Sequence, residues 1–68
     1  MASSERDLDE LRISFMKVYN NLPLKEREET VLVIDDEPVS WKYAHREISA
    51  DTDMGRHMLE KLDKLDII

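Results

Sequence analysis

The chain has 68 residues, with ten Lys and Arg against sixteen Asp and Glu, a net charge of −6, and no cysteine. A chain this short holds one small domain, here 1–68 with residues 1–3 expected to be disordered, which excludes a two-domain enzyme. Missing thiols exclude disulfides, thiolate catalysis and the usual structural zinc sites, and fit a reducing compartment such as the cytoplasm.

Leu, Ile, Val and Phe supply 18 of the 68 residues, above the roughly 20% below which highly charged chains stay disordered, so the chain is expected to fold. One Gly and two Pro among 38% charged residues predict a helix-rich protein with few irregular loops. Residues 1–6 lack the apolar stretch of a signal peptide, and no apolar run approaches the ~20 residues that span a bilayer. No membrane partner is therefore expected. The two halves carry five basic with seven acidic groups and five basic with nine acidic groups. Neither hides a basic tail, and nucleic acid, whose phosphates need clustered Lys and Arg, is not an expected partner.

A first helix is predicted to start near Ser4, whose hydroxyl caps an orphan amide, with Asp7 three residues on. Leu8, Leu11, Phe15, Val18, Tyr19 and Leu22 recur at steps of three and four and form its apolar face, while Ile13 falls off that stripe. Leu22-Pro23 stops the helix, because the residue before proline is pushed out of the α region. The polar stretch Lys25-Glu26-Arg27-Glu28-Glu29 is a connector able to add a helical turn.

Thr30-Val31-Leu32-Val33-Ile34 is the strongest strand signal, and its nearly continuous apolarity predicts burial on both faces. Asp35-Asp36 supply the two central residues of a tight turn, since Asp tolerates positive φ. Glu37-Pro38-Val39 is the return strand, with Pro38 suited to a sheet margin. Ser40 caps a short helix running to about Ser49, with Trp41, Ala44 and Ile48 on its apolar face. Asp51-Thr52-Asp53 caps a final helix whose apolar face is Met54, Met58, Leu59, Leu62 and Leu65. Its opposite face pairs Arg56 with Glu60 and Glu60 with Lys64 at four-residue spacing. Ile67-Ile68 is expected to dock on the core or on a partner. The predicted fold is α+β in the order α-β-β-α-α, a two-stranded antiparallel hairpin packed against three helices.

Chemistry-bearing patterns are sparse. Val31-Leu32-Val33-Ile34-Asp35-Asp36-Glu37-Pro38 resembles the opening of a response-regulator receiver domain. Over these eight residues the resemblance implies a buried parallel strand delivering Asp35, Asp36 and Glu37 to Mg²⁺ beside a phosphorylated aspartate, as hard oxygen ligands would. The thirty residues after Pro38 read as helices, without the later strand that would carry the acceptor, and a solvated hairpin turn accounts for the same acids. Asp51-Thr52-Asp53-Met54-Gly55 with Glu60 echoes a calcium loop, but the glycine comes one place early and Glu60 falls at the tenth position rather than the twelfth. A helix N-cap explains those residues. His45 and His57 lie on separate helices at no known ligand spacing. No nucleophile elbow or phosphate-binding glycine loop is present, so neither an enzyme nor a cofactor is expected.

Trp41 and Tyr43 beside Lys42, with Arg46 one turn on, read as a core or protein-contacting cluster rather than a basic groove. A small core and a lone hairpin gain most from a partner, and two-fold dimers are the commonest solution, completing either the sheet or the helical layer. The expected role is a non-catalytic protein–protein interaction module, acting on itself as a homodimer or on another protein. The expected contact residues are Trp41, Tyr43, Ile13, Met58 and Leu65, apolar or aromatic side chains placed at the edge of the core. Two alternatives stand beside it: a divalent-metal or phospho-responsive regulator using Asp35, Asp36 and Glu37, and an acidic decoy for a basic nucleic-acid-binding protein.

Overall fold

A computed structural model describes residues 7–68. Helix α1 spans Leu8–Asn20 and is followed by a single 3₁₀ turn at Glu26–Glu28. Strands β1 (Thr30–Ile34) and β2 (Glu37–Ser40) come next, then helices α2 (Trp41–Ser49) and α3 (Asp53–Lys64). The order is the predicted α-β-β-α-α. No helix among the described residues is long and apolar enough to cross a membrane.

Each helix starts where a side-chain oxygen can reach a free amide of the first turn. Ser40 accepts from Tyr43 N at 3.0 Å to open α2, and Thr52 accepts from Gly55 N at 2.9 Å to open α3. For α1 the cap is Asp7, extended in backbone and accepting from Glu10 N at 2.8 Å. The helix therefore begins at Leu8 and not near Ser4, which lies outside the described residues. Its end, at Asn20, falls ahead of Leu22-Pro23 as the proline rule requires.

The hairpin turn is made by Asp35 and Asp36 at φ 51° and 69°, the pair of positive values that a type I′ turn demands. Two turn residues make Ile34 and Glu37 the closing hydrogen-bonded pair, and the neighbouring pair Val33 and Pro38 the non-hydrogen-bonded one. Pro38 thus sits where its missing N–H costs the ladder nothing. The outward carbonyl of Val33 accepts a hydrogen bond from Lys61 Nζ at 2.9 Å, which ties α3 to the outer edge of β1. Among the described residues β1 pairs with β2 alone, antiparallel, and the parallel sheet implied by the receiver resemblance is not found.

One apolar cluster joins the three α-helices and the hairpin: Leu11, Phe15 and Tyr19 from α1, Leu32, Ile34 and Val39 from the hairpin, Ala44 and Ile48 from α2, and Met58, Leu59 and Leu62 from α3. Ile67 and Ile68 pack against it, meeting the expectation that the last two residues dock on the core. Burial of β1 on both faces is not observed, because the helices cover only one side of a two-stranded sheet and leave Val33 exposed.

The connection between α2 and α3 is locked from both sides. Thr52 Oγ1 donates to Glu47 Oε1 at 2.6 Å. Asp51, at φ 56°, receives Arg12 of α1 at 2.7 Å and Arg56 of α3 at 3.3 Å. Arg56 also reaches Asp53 at 3.1 Å. It thus turns back toward the start of its helix, where the carboxylates also favour the positive end of the dipole, and not forward to Glu60 as its spacing predicts.

Candidate functional site

Two grooves lie on either side of Tyr43, the third residue of α2. The first, of about 380 Å³, runs between the hairpin and the start of α3; Ile34, Val39 and Met58 belong to the core and form its floor. Pro38, Tyr43 and Met54 stand around it together with Asp35 and Glu37. The second, of about 410 Å³, lies toward α1 and is lined by Tyr19, Ser40, Lys42, Tyr43, His45 and Arg46.

Helical geometry produces this division. Ala44 and Ile48 turn inward and bury completely, so the outward arc of α2 presents Lys42, Tyr43 and Arg46 as neighbours one residue or one turn apart. The turn geometry of Asp35 and Asp36 brings Glu37 back at the start of β2, and the hairpin sets Asp35 and Glu37 beside the opposite flank of Tyr43. One groove is rimmed by carboxylates and the other by cations.

An aromatic stack supports the second groove. Trp41 lies 5.9 Å from Phe15, and Phe15 5.9 Å from Tyr19. The His45 ring sits 4.1 Å from the Tyr19 ring at 13°, and the Arg27 guanidinium lies 4.4 Å from the Tyr19 centroid. Tyr19 thus packs against both a histidine and an arginine. Ser49 Oγ is 3.5 Å from His45 Nε2, longer than the roughly 2.6–3.2 Å at which a base activates a nucleophile.

The five expected contact residues separate in the structure. Tyr43 is 45% exposed and borders both grooves. Met58 is only 1% exposed; instead of lying at the edge of the core it sits at its centre and reaches the first groove only as floor, because the close approach of α3 to α2 turns that part of the helix inward. Trp41 is half-buried, its ring stacked on Phe15 and its backbone N–H donating to the Glu29 carbonyl at 3.2 Å, so it anchors α2 to the fold. Ile13 and Leu65 are 59% and 53% exposed, the first on α1 and the second at the end of α3, and neither borders these two grooves. Met54, Lys42 and Arg46 were not among the expected contact residues. The four-residue spacing of Lys42 and Arg46, which puts two cations on one face beside Tyr43, was the signal for the last two.

Asp35 and Asp36 serve the backbone through their positive φ values, and the described residues contain no group of three or more His, Asp or Glu placed to hold a metal ion. Asp51 and Asp53, the acids of the calcium-loop echo, are engaged by Arg12 and Arg56. The sheet edges are also occupied or blunted. Lys61 takes the outward carbonyl of Val33, and Pro38 offers no N–H on the outer edge of β2, so completion of the sheet by another strand meets a poor template on both sides. Comparison with family models, with curated proteins and with solved structures found no match to the chain.

Proposed function

We propose that this chain is a small acidic protein–protein interaction module that associates with itself and carries no reaction of its own. The observation that supports this reading most directly is the exposure of Tyr43 and Met54, at 45% and 41%, over a groove floored by core residues. Large apolar side chains clustered beside a groove mark contact surfaces, and tyrosine and methionine are the residue types that such surfaces favour. The size of the chain adds a reason, since a 68-residue protein has a small core and gains stability from any partner that binds only its folded state. With both sheet edges blunted, the contact surface is the groove where the hairpin meets α2 and the start of α3 rather than a sheet edge.

The test is the solution mass by light scattering over a concentration series from micromolar to millimolar. A mass rising from 8.1 kDa toward twice that value supports self-association. A mass constant at the monomer value throughout overturns it.

A further inference from the structure

Resting on that reading, we propose that the face centred on Tyr43 is a self-complementary dimer interface whose occupant is a second copy of this chain. The two copies are related by a two-fold axis passing close to Tyr43. Lys42 and Arg46 of each then face Asp35 and Glu37 of the other.

A two-fold interface brings the same patch of both copies together in opposite directions, so the patch must complement itself. A patch of one sign cannot do so, and a net charge of −6 makes most of this surface repel its own copy. The Tyr43 face differs. Its first groove is lined by Asp35 and Glu37 with no cation, and its second by Lys42, His45 and Arg46, with Glu28 reaching only Lys42 from outside the lining. Rotation about Tyr43 superposes the acidic half of one copy on the basic half of the other.

The charges on this face are available. Arg46 has no carboxylate partner among the described residues, unlike Arg12 and Arg56, which are committed to Asp9, Asp51 and Asp53. Lys42 pairs only with Glu28, at 3.5 Å, and both side chains are about two-thirds exposed, a pairing of small net value that an incoming carboxylate can replace. Asp35 and Glu37 enter no ion pair among the described residues. Between the charges, Tyr43, Met54 and Pro38 supply the apolar surface that a contact needs at its centre. A partner of uniform charge, a basic peptide or a nucleic acid, would satisfy one groove and face like charge at the other. A second copy satisfies both.

The experiment is a charge swap read by sedimentation equilibrium at about 0.1 M salt, where net-charge repulsion is screened beyond roughly 10 Å but contacting pairs are not. Arg46→Glu and Glu37→Lys are chosen because both positions are exposed, and circular dichroism checks the fold of each. Each variant alone is expected to dimerise about tenfold or more weakly than the wild type, and their equimolar mixture is expected to recover wild-type affinity as a heterodimer. Tyr43→Ala is expected to be monomeric, and Leu65→Glu to dimerise normally. Variants that dimerise as tightly as wild type, or a mixture that recovers nothing, overturn this face while leaving self-association standing, as does loss of the dimer in Leu65→Glu. A wild-type chain that stays monomeric overturns both.

Discussion

Gly55 of α3 lies against the backbone of Glu47 in α2 so closely that a Cβ at this position would fall 2.7 Å from the Glu47 carbonyl carbon and 2.9 Å from Ile48 N. Backbone atoms cannot swing aside as a side-chain terminus can. Gly55→Ala gains about 1 kcal/mol of helix propensity, whereas overpacking costs about 1–3 kcal/mol, and here the obstacle is a helix. We expect a net loss of about 1–2 kcal/mol, seen as a lower urea midpoint at unchanged slope. Equal or greater stability would mean that the helices part without cost.

The turn makes a prediction that separates backbone chemistry from ion binding. Asp36 holds φ 69°, a region costing an ordinary L-residue roughly 1–2 kcal/mol. Asp36→Gly should match or exceed wild-type stability by up to about 1 kcal/mol, and Asp36→Val should lose about 1–2 kcal/mol, both read from thermal melts. Millimolar Mg²⁺ should leave the amide shifts of residues 34–37 in place. A specific shift lost in Asp36→Gly would restore the metal-responsive reading.

Arg27 provides a third case. Its guanidinium covers Tyr19 at 4.4 Å, and its Nε is buried with no hydrogen-bond partner among the described residues. The side chain is therefore held by its contact with the ring rather than by a carboxylate among the described residues. Arg27→Lys keeps the charge but loses the flat stacking surface, and should cost about 0.5–1 kcal/mol. Added salt should narrow that difference little, because no ion pair is involved.

Lys61 links stability to the sheet edge. Removing its hydrogen bond to Val33 O by Lys61→Ala should cost about 1 kcal/mol. It also uncovers an acceptor on β1 and removes a charge that discourages strand addition. Slower recovery from thermal unfolding, with increased light scattering, is the expected signature; Lys61→Arg should behave as wild type.

Local chemistry made much of the fold legible. The positive-φ turn at Asp35-Asp36, the Ser40 cap and the cap in Asp51-Thr52-Asp53 depend on neighbours within three residues, and each appears where the residues place it. The first cap is Asp7, whose carboxylate accepts from Glu10 N three residues on, and the expected cap at Ser4 lies outside the described residues. What depends on the third dimension was less legible. Val33 belongs to an apolar run, yet a single layer of helices leaves its side of the sheet open. The helical period places Met54, Met58 and Leu65 on one face of α3 but does not say which meets the core. In the fold α3 packs closely on α2 at Gly55, Met58 is buried, and Met54 and Leu65 are left exposed. Of the candidate surface, Tyr43 stands exposed beside both grooves as an aromatic on the outward arc of α2, whereas the opposed charges flanking it come together only when the hairpin folds against α2.

The most direct test of self-association through the Tyr43 face is a dilution series of amide ¹H–¹⁵N spectra on the wild-type chain. The account predicts concentration-dependent shifts concentrated at Glu37, Lys42, Tyr43, Arg46 and Met54, with residues around Ile13 and Leu65 unmoved. Shifts centred on Ile13 or Leu65, or spectra identical from micromolar to millimolar, would contradict it.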